Sequence, residues 1–299
     1  MIKSFHWKRA RRKKEIWFSL FVMLVLALVA VFAPWIAPHD PYEWRVAEGS
    51  LPPSWVQNLS TPGVSDYPLG TDRYGRDILS RMIYGTRTAI FLALAAVSLA
   101  ALIGTLVGLV AGYAGGRSDS IIMLFVDMLA SLPGIMVMVI IVLIFRTRLT
   151  PTWFHGLITL VIGFAAVGWV SLARLIRINL MQLKSQVFVE AAISIGASPW
   201  RVMIRHLLPN VSHVIVVWIV VTIPVVILLE AMLGYLGVGV TAAVDGSEFT
   251  AVSWGGLFFS GRSMMSSNPW VLVLPSLCIL LISMSFLLMG DFLDETTRQ

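Results

Sequence analysis

The stretch EAAISIGASPWRVMIRHLLPN, Glu190 to Asn210, is a polar and basic interruption in an otherwise oily chain. Phe188, Ala191, Ala192 and Ile195 fall at i, i+3, i+4 and i+7, a spacing that predicts a helix with those four residues on one face. Gly196 supplies the left-handed conformation that commonly closes a helix. Ser198 suits the cap of a second helix, and Pro199 suits its first position, where a missing N–H costs nothing. Pro209 is expected to limit that second helix, because its ring clashes with the preceding turn. Arg201, Arg205 and His206 then project beside Trp200, Val202 and Met203. Helix, tight turn and short helix make a knob of about residues 185–210. Its spacing alone fits two readings: a projection that enters a partner's cleft, or an amphipathic loop resting on lipid headgroups.

The runs on either side of this elbow decide the class. The 299 residues are 58% hydrophobic and 13% charged, against about 25% charged in soluble domains. Six stretches, at approximately 16–37, 88–113, 120–145, 153–173, 211–236 and 271–290, meet the length of about 20 residues that a hydrocarbon core requires. The expectation is an all-α polytopic membrane protein with about six transmembrane helices. Lys3, Lys8, Arg9, Arg11, Arg12, Lys13 and Lys14 hold the N-terminal head in the cytoplasm, and the first run is too long and lacks an A-x-A site for a cleaved signal peptide. Both termini and the Arg174–Asn210 region then face the cytoplasm, and 38–88 faces outward, its basic residues balanced by Asp40, Glu43, Glu48, Asp66, Asp72 and Asp77. The net charge of +6 lies beside apolar segments, so it reads as topology, and nucleic acid is not an expected partner. The single cysteine, Cys278, excludes a disulfide framework and a cysteine metal cluster.

Within the spans, Gly104, Gly108 and Gly112 repeat every four residues and let a neighbouring helix approach closely. Asp127 and Glu230 are carboxylates in or near spans three and five. Each either lines a pathway or pairs with a neighbouring span. Pro133 and Pro224 can kink their helices. In PLGTDRYGRDILSRMIYGTRT, Pro68 to Thr88, Gly70 and Gly75 suggest turns and Asp77 begins a short helix, with charges that read as a solvated surface. Val240 to Asn268 reads as a second outward loop, with Trp254 and Trp270 as interfacial anchors.

Taken together these motifs resemble the membrane subunit of a bacterial ABC importer of the dipeptide, oligopeptide and nickel branch, and more narrowly its C-type permease. Glu190, Ala191, Ala192, Gly196, Leu208 and Pro209 match the importer signature E-A-A-x₃-G with its Leu-Pro ending. The Pro68–Thr88 stretch, EAMLGYLGVG from Glu230 to Gly239, Trp254-Gly255, Asn268-Pro269-Trp270, Pro275, Gly290-Asp291 and the N-terminal APWIAPHDP also agree. Departures are Gly234 and Tyr235 for serine and phenylalanine, Phe125 for a basic residue often seen before Asp127, and a divergent outward loop at 240–252.

The resemblance implies a division into a basic head with first helix (1–37), an outward segment (38–88), an importer-type transmembrane domain (89–290) and a cytoplasmic tail (291–299), in the bacterial cytoplasmic membrane. It implies three kinds of protein partner: a B-type permease subunit, two cytoplasmic ATPase subunits and an extracytoplasmic solute-binding protein. Glu190, Ala191, Ala192, Gly196, Ala197, Ser198, Pro199 and Arg201 would couple to an ATPase, while Asp127, Pro133 and Glu230 are pathway or gate candidates. ATP and Mg would sit on the partners: no GxxxxGK[ST] occurs here. No catalytic and no metal-ligating residues are expected in this chain. Short peptides are the expected cargo, with nickel, glutathione or oligosaccharides as alternatives. The competing classes are a stand-alone secondary transporter, for which no internal repeat is visible, and a membrane enzyme, for which neither H-E-x-x-H nor G-x-S-x-G is present.

Overall fold

The computed structural model describes residues 2–43, 49–57, 62–149, 156–239 and 252–297, with backbone alone for 2–13, 146–149 and 297. It is all-α. The helices are α1 (Ile2–Ile36), α2 (Ile78–Ala114), α3 (Gly116–Ser131), α4 (Gly134–Leu149), α5 (Leu157–Lys184), α6 (Val187–Ser194), α7 (Pro199–Val202), α8 (Leu208–Tyr235), α9 (Trp254–Arg262) and α10 (Trp270–Thr297). A π-helical turn, Met203–Leu207, joins α7 to α8. Five helical stretches are long and apolar enough to cross a membrane, and six if the bent pair α3–α4 counts as one. The chain is a multi-pass membrane protein.

Three expected boundaries move. The 120–145 run is two helices meeting at 85°. Pro133 drives this: it has no N–H, its ring excludes the carbonyl four residues back, and it forces the preceding residue out of helical geometry. Leu132 accordingly sits extended, at φ −81° and ψ 140°. Asp77 begins a long helix instead of a short one. Its carboxylate accepts from the N–H groups of Leu79 and Ser80 at 3.2 and 3.0 Å, and α2 then continues unbroken to Ala114. Finally, α5 runs to Lys184 and not to 173. Arg174, Arg177 and Lys184 therefore stand on a helix, where carboxylates and a backbone carbonyl meet them.

The core is built around α2. A Cβ on Gly104 would lie 2.7 Å from the Trp169 carbonyl, one on Gly108 2.8 Å from the Ala173 carbonyl, and one on Gly112 2.8 Å from Leu180 Cβ. The glycine stripe is thus the seat of α5, whose Leu172, Ile176 and Leu180 are fully buried. On the other side α8 meets α9 backbone to backbone, since any Cβ on Gly234 would collide with Gly255. Trp254, expected as an interfacial anchor, is fully buried. Its Nε1 donates to the Met82 carbonyl at 3.1 Å, and its ring lies against Gly85, where a Cβ would stand 2.5 Å from Trp254 Cδ1. Only a glycine on α2 leaves room for that indole. The expected loop 240–252 lies, except for Val252, outside the described residues.

The segment between α1 and α2 also departs from expectation. Asp72, Arg76, Asp77 and Arg81 are buried, not solvated. Asp72 accepts from Arg76 Nε at 2.8 Å and from the N–H groups of Tyr74 and Arg76 at 2.9 and 3.1 Å, with Arg81 Nε 3.8 Å away. Arg81 also donates to the Pro41 carbonyl at 3.1 Å. His39 Nδ1 lies 3.3 Å from Asp77, and Asn268 donates to the Ser50 carbonyl at 2.6 Å. A buried charge persists only when paired and hydrogen-bonded. Here the pairing closes the loop against α2 and the start of α10.

Candidate functional site

The elbow is positioned from beneath. Val189 of α6, Val202 of α7, Leu207 and Val211 are fully buried against Leu172, Ile176 and Leu180 of α5. Helix α6 ends in a Schellman pattern: the Ala197 N–H bonds to the Ala192 carbonyl at 3.1 Å and the Gly196 N–H to Ile193 at 2.9 Å. Gly196 takes φ +80°, which a side-chain-bearing residue enters only at a cost. A Cβ there would meet nothing within 4 Å, so conformation and not space calls for glycine. Ser198 occupies the cap position of α7 in extended geometry without a side-chain cap bond, and Pro199 follows at the first turn.

The structure adds which face of α6 is buried, and it overturns one expectation. The inward face of α6 is Val189 and Ala192, whereas Phe188, Ala191 and Ile195 are exposed. Periodicity finds an apolar stripe but cannot tell a buried stripe from one left bare, and α6 carries both. Pro209 does not end the second helix. The π turn carries α7 into α8, with the Leu208 N–H bonding to Met203. The proline falls in the first turn of α8, where the absent N–H is tolerated.

What remains on the surface is an apolar knob with charges around it. Ile195 is 86% exposed and Trp200 63% exposed, beside Val187, Phe188, Ile193 and Ile204. Glu190, Arg201 and Arg205 are exposed as well. The tip is thus an exposed apolar cluster with charged residues around it.

The three pathway candidates do not converge. Asp127 accepts from Arg174 Nη2 at 2.6 Å, about one turn before α3 ends at Ser131, so Asp127 and Pro133 both belong to the α3–α4 pair. Glu230 lies elsewhere, on α8 facing α9. It is buried, with Oε2 accepting from the Gly255 N–H at 3.3 Å and Oε1 without a partner. Glu230 therefore ties α8 to the N-terminal turn of α9. Reading by sequence missed a second ion pair: Arg177 donates from Nε and Nη2 to both oxygens of Asp119, at 2.5 and 2.6 Å. Lys184 also donates to the Tyr113 carbonyl at 2.6 Å. Together these fasten the α2–α3 corner to α5. No spacing rule links residues 58 apart, so only the basic character of α5 hinted at it. A charge facing hydrocarbon costs at least about 2.5–3.5 kcal/mol, which is why these arginines meet carboxylates.

Apolar helices threaded around a glycine-lined α2, with a projecting elbow between α5 and α8, define a polytopic helical membrane protein. Residues 104–299 match the family described as binding-protein-dependent transport system inner membrane component, and residues 4–53 match the N-terminal transmembrane domain of oligopeptide transport permease C. The chain belongs to this permease family. It is 35% identical over 294 residues to the di/tripeptide transport system permease protein of Pseudomonas aeruginosa strain UCBPP-PA14, covering 98% of this chain and 90% of that one. Identity to the dipeptide transport system permease protein of Bacillus subtilis strain 168 is 32% over 290 residues, 97% and 83% of the two chains. The glutathione transport system permease protein of Pectobacterium atrosepticum is 33% identical over 294 residues, 97% and 88%.

Proposed function

We propose that this chain is one of two permease subunits of an ATP-driven importer of short peptides. The observation that carries the reading is the bare apolar elbow on a rigid, fully packed base. In this reading Glu190, Ala191, Ala192, Gly196, Ala197, Ser198, Pro199 and Arg201 form the surface that an ATPase subunit grips. Nucleotide closure of the ATPases moves the knob, and the packing of Val189, Val202 and Leu207 on α5 passes that motion to the membrane helices. The chain itself performs no catalysis and binds no cofactor: ATP and Mg belong to two ATPase subunits. A B-type permease forms the other half of the pathway, and an extracytoplasmic solute-binding protein delivers cargo to the side of the 38–88 segment. Both termini and the elbow face the cytoplasm. The names of the peptide-transport relatives support short peptides as cargo. Glutathione, named for one relative, is itself a short peptide and falls in the same chemical class.

The test is gentle purification of the chain from its membrane with identification of what accompanies it. A second permease, ATPase subunits and a solute-binding protein holding peptide are the expected companions. A lone homo-oligomer that moves solute without ATP would contradict the reading.

A further inference from the structure

Two ion pairs join α3 to α5, and they differ in kind. Asp119–Arg177 is closed: both carboxylate oxygens are engaged, and the side chains are 9% and 27% exposed. Asp127–Arg174 rests on one nitrogen and one oxygen, and its side chains are 62% and 43% exposed. The first pair suffices to fasten the helices. The second lies open on the surface of α3 and α5, and hydrocarbon is an unfavourable neighbour for charge.

Beside this open pair the break at Pro133 leaves a cavity of about 360 Å³, within the roughly 300–1,000 Å³ of small-molecule sites. Leu129 of α3, Leu132 at the break, Ile135 of α4 and Phe164 of α5 give it apolar walls, and Ser171 and the Arg174 side chain also line it. The Ser171 hydroxyl is held in place by a 3.0 Å bond from Trp218 Nε1.

Resting on the reading of the chain as a peptide permease, we propose that Asp127, Arg174 and this cavity form a transit subsite for the free termini of a short peptide. Arg174 takes the α-carboxylate, Asp127 takes the α-ammonium, and the apolar walls take a side chain. A free peptide is a zwitterion near neutral pH, since its α-carboxyl titrates at about 3.3–3.7 and its α-amine at about 7.7–8.0. The site has one charge of each sign. Entry of the peptide exchanges one ion pair for two, with no net charge carried into the membrane. The guanidinium fork is suited to a planar carboxylate. Exposed ion pairs each contribute little, so the subsite holds its cargo weakly, as transit requires.

The experiment uses the assembled complex in nanodiscs, with Cys278→Ser and Leu129→Cys in this chain, and follows modification of Leu129→Cys by a small thiol reagent. Dialanine at twice its dissociation constant should slow labelling about threefold, because the free fraction falls as 1/(1 + [L]/Kd). N-acetyl-dialanine amide, which lacks both charges, should not slow it, and Arg174→Gln should abolish the protection. Ser171→Cys repeats the measurement from another wall if Leu129→Cys disturbs the cavity. Equal protection by both peptides, protection that survives Arg174→Gln, or no protection at all overturns the subsite, the last meaning that the partner permease covers the pair. Dialanine uptake by the unaltered complex is measured in parallel. Its absence would instead contradict the peptide-permease reading itself.

Discussion

The N–H of Ala197 reaches back across Gly196 to the carbonyl of Ala192 at 3.1 Å, and this bond sets the angle at which the elbow leaves the membrane domain. Ala192 is buried and Ala197 is half-buried against the cluster built on α5, while Ile195 between them is exposed. The turn therefore converts a fixed base into a projecting apolar tip.

Gly196→Val should weaken this turn. A β-branched residue at φ +80° pays at least the roughly 1–2 kcal/mol of left-handed geometry. Gly196→Asn, which tolerates that conformation better, should be milder. Peptide uptake normalised to the amount of subunit in the membrane is the measurement, and equal uptake by both variants would show that the left-handed turn is not needed.

Filling the glycine stripe should loosen the bundle. Gly108→Leu places atoms where a Cβ alone would already be 2.8 Å from the Ala173 carbonyl, and overpacking of this kind costs about 1–3 kcal/mol or more. Thermal unfolding in detergent should shift down markedly. Leu106→Ala, at an exposed position of the same helix, should shift it little.

The buried charges of the 49–81 region should be intolerant of single changes. Asp72→Asn leaves Arg76 and Arg81 buried without their carboxylate, a loss of about 3–5 kcal/mol for broken buried pairs. Detergent-extractable folded protein should fall sharply. Asp66→Asn, which alters an exposed carboxylate, should be close to neutral. Equal tolerance of the two would mean that the Asp72 network is not structural.

Membrane orientation is tested by cysteines at Ser65 and Ser185, introduced into a Cys278→Ser chain. Both positions are exposed, so unequal labelling reports sidedness and not burial. With an impermeant thiol reagent applied from outside the cytoplasmic membrane, Ser65→Cys should react and Ser185→Cys should not. The reverse pattern would invert the topology.

The elbow's turn and the class of the protein were legible because each rests on local chemistry: Gly196 at a helix end, Pro199 at a helix start, glycines at a spacing of four, runs of membrane length. The stripe read at Gly104, Gly108 and Gly112 is indeed where α5 packs. What was not legible depended on partners distant in sequence. Asp72 and Arg76 read as surface because nothing local reveals that Arg81, Pro41 and the backbone enclose them. Trp254 read as an interfacial anchor because its cavity is supplied by Gly85, on a different helix. Pro209 read as a stop because a π turn cannot be inferred from composition. In the sequence Asp127 fits either lining a pathway or pairing, and Arg174 is its partner because α5 extends through Arg174 to Lys184.

The central claim is that the bare tip of the elbow transmits ATPase closure to the membrane helices. It is tested most directly by Ile195→Glu in a reconstituted complex. Ile195 is 86% exposed, so the change should spare this chain's fold while removing an apolar contact worth about 1.5–3 kcal/mol when buried in a partner, roughly 10-fold or more in affinity. The account predicts that the subunit stays in the membrane, that peptide uptake falls at least about tenfold, and that peptide-loaded binding protein no longer stimulates ATP hydrolysis. Unchanged uptake and unchanged stimulation would contradict it.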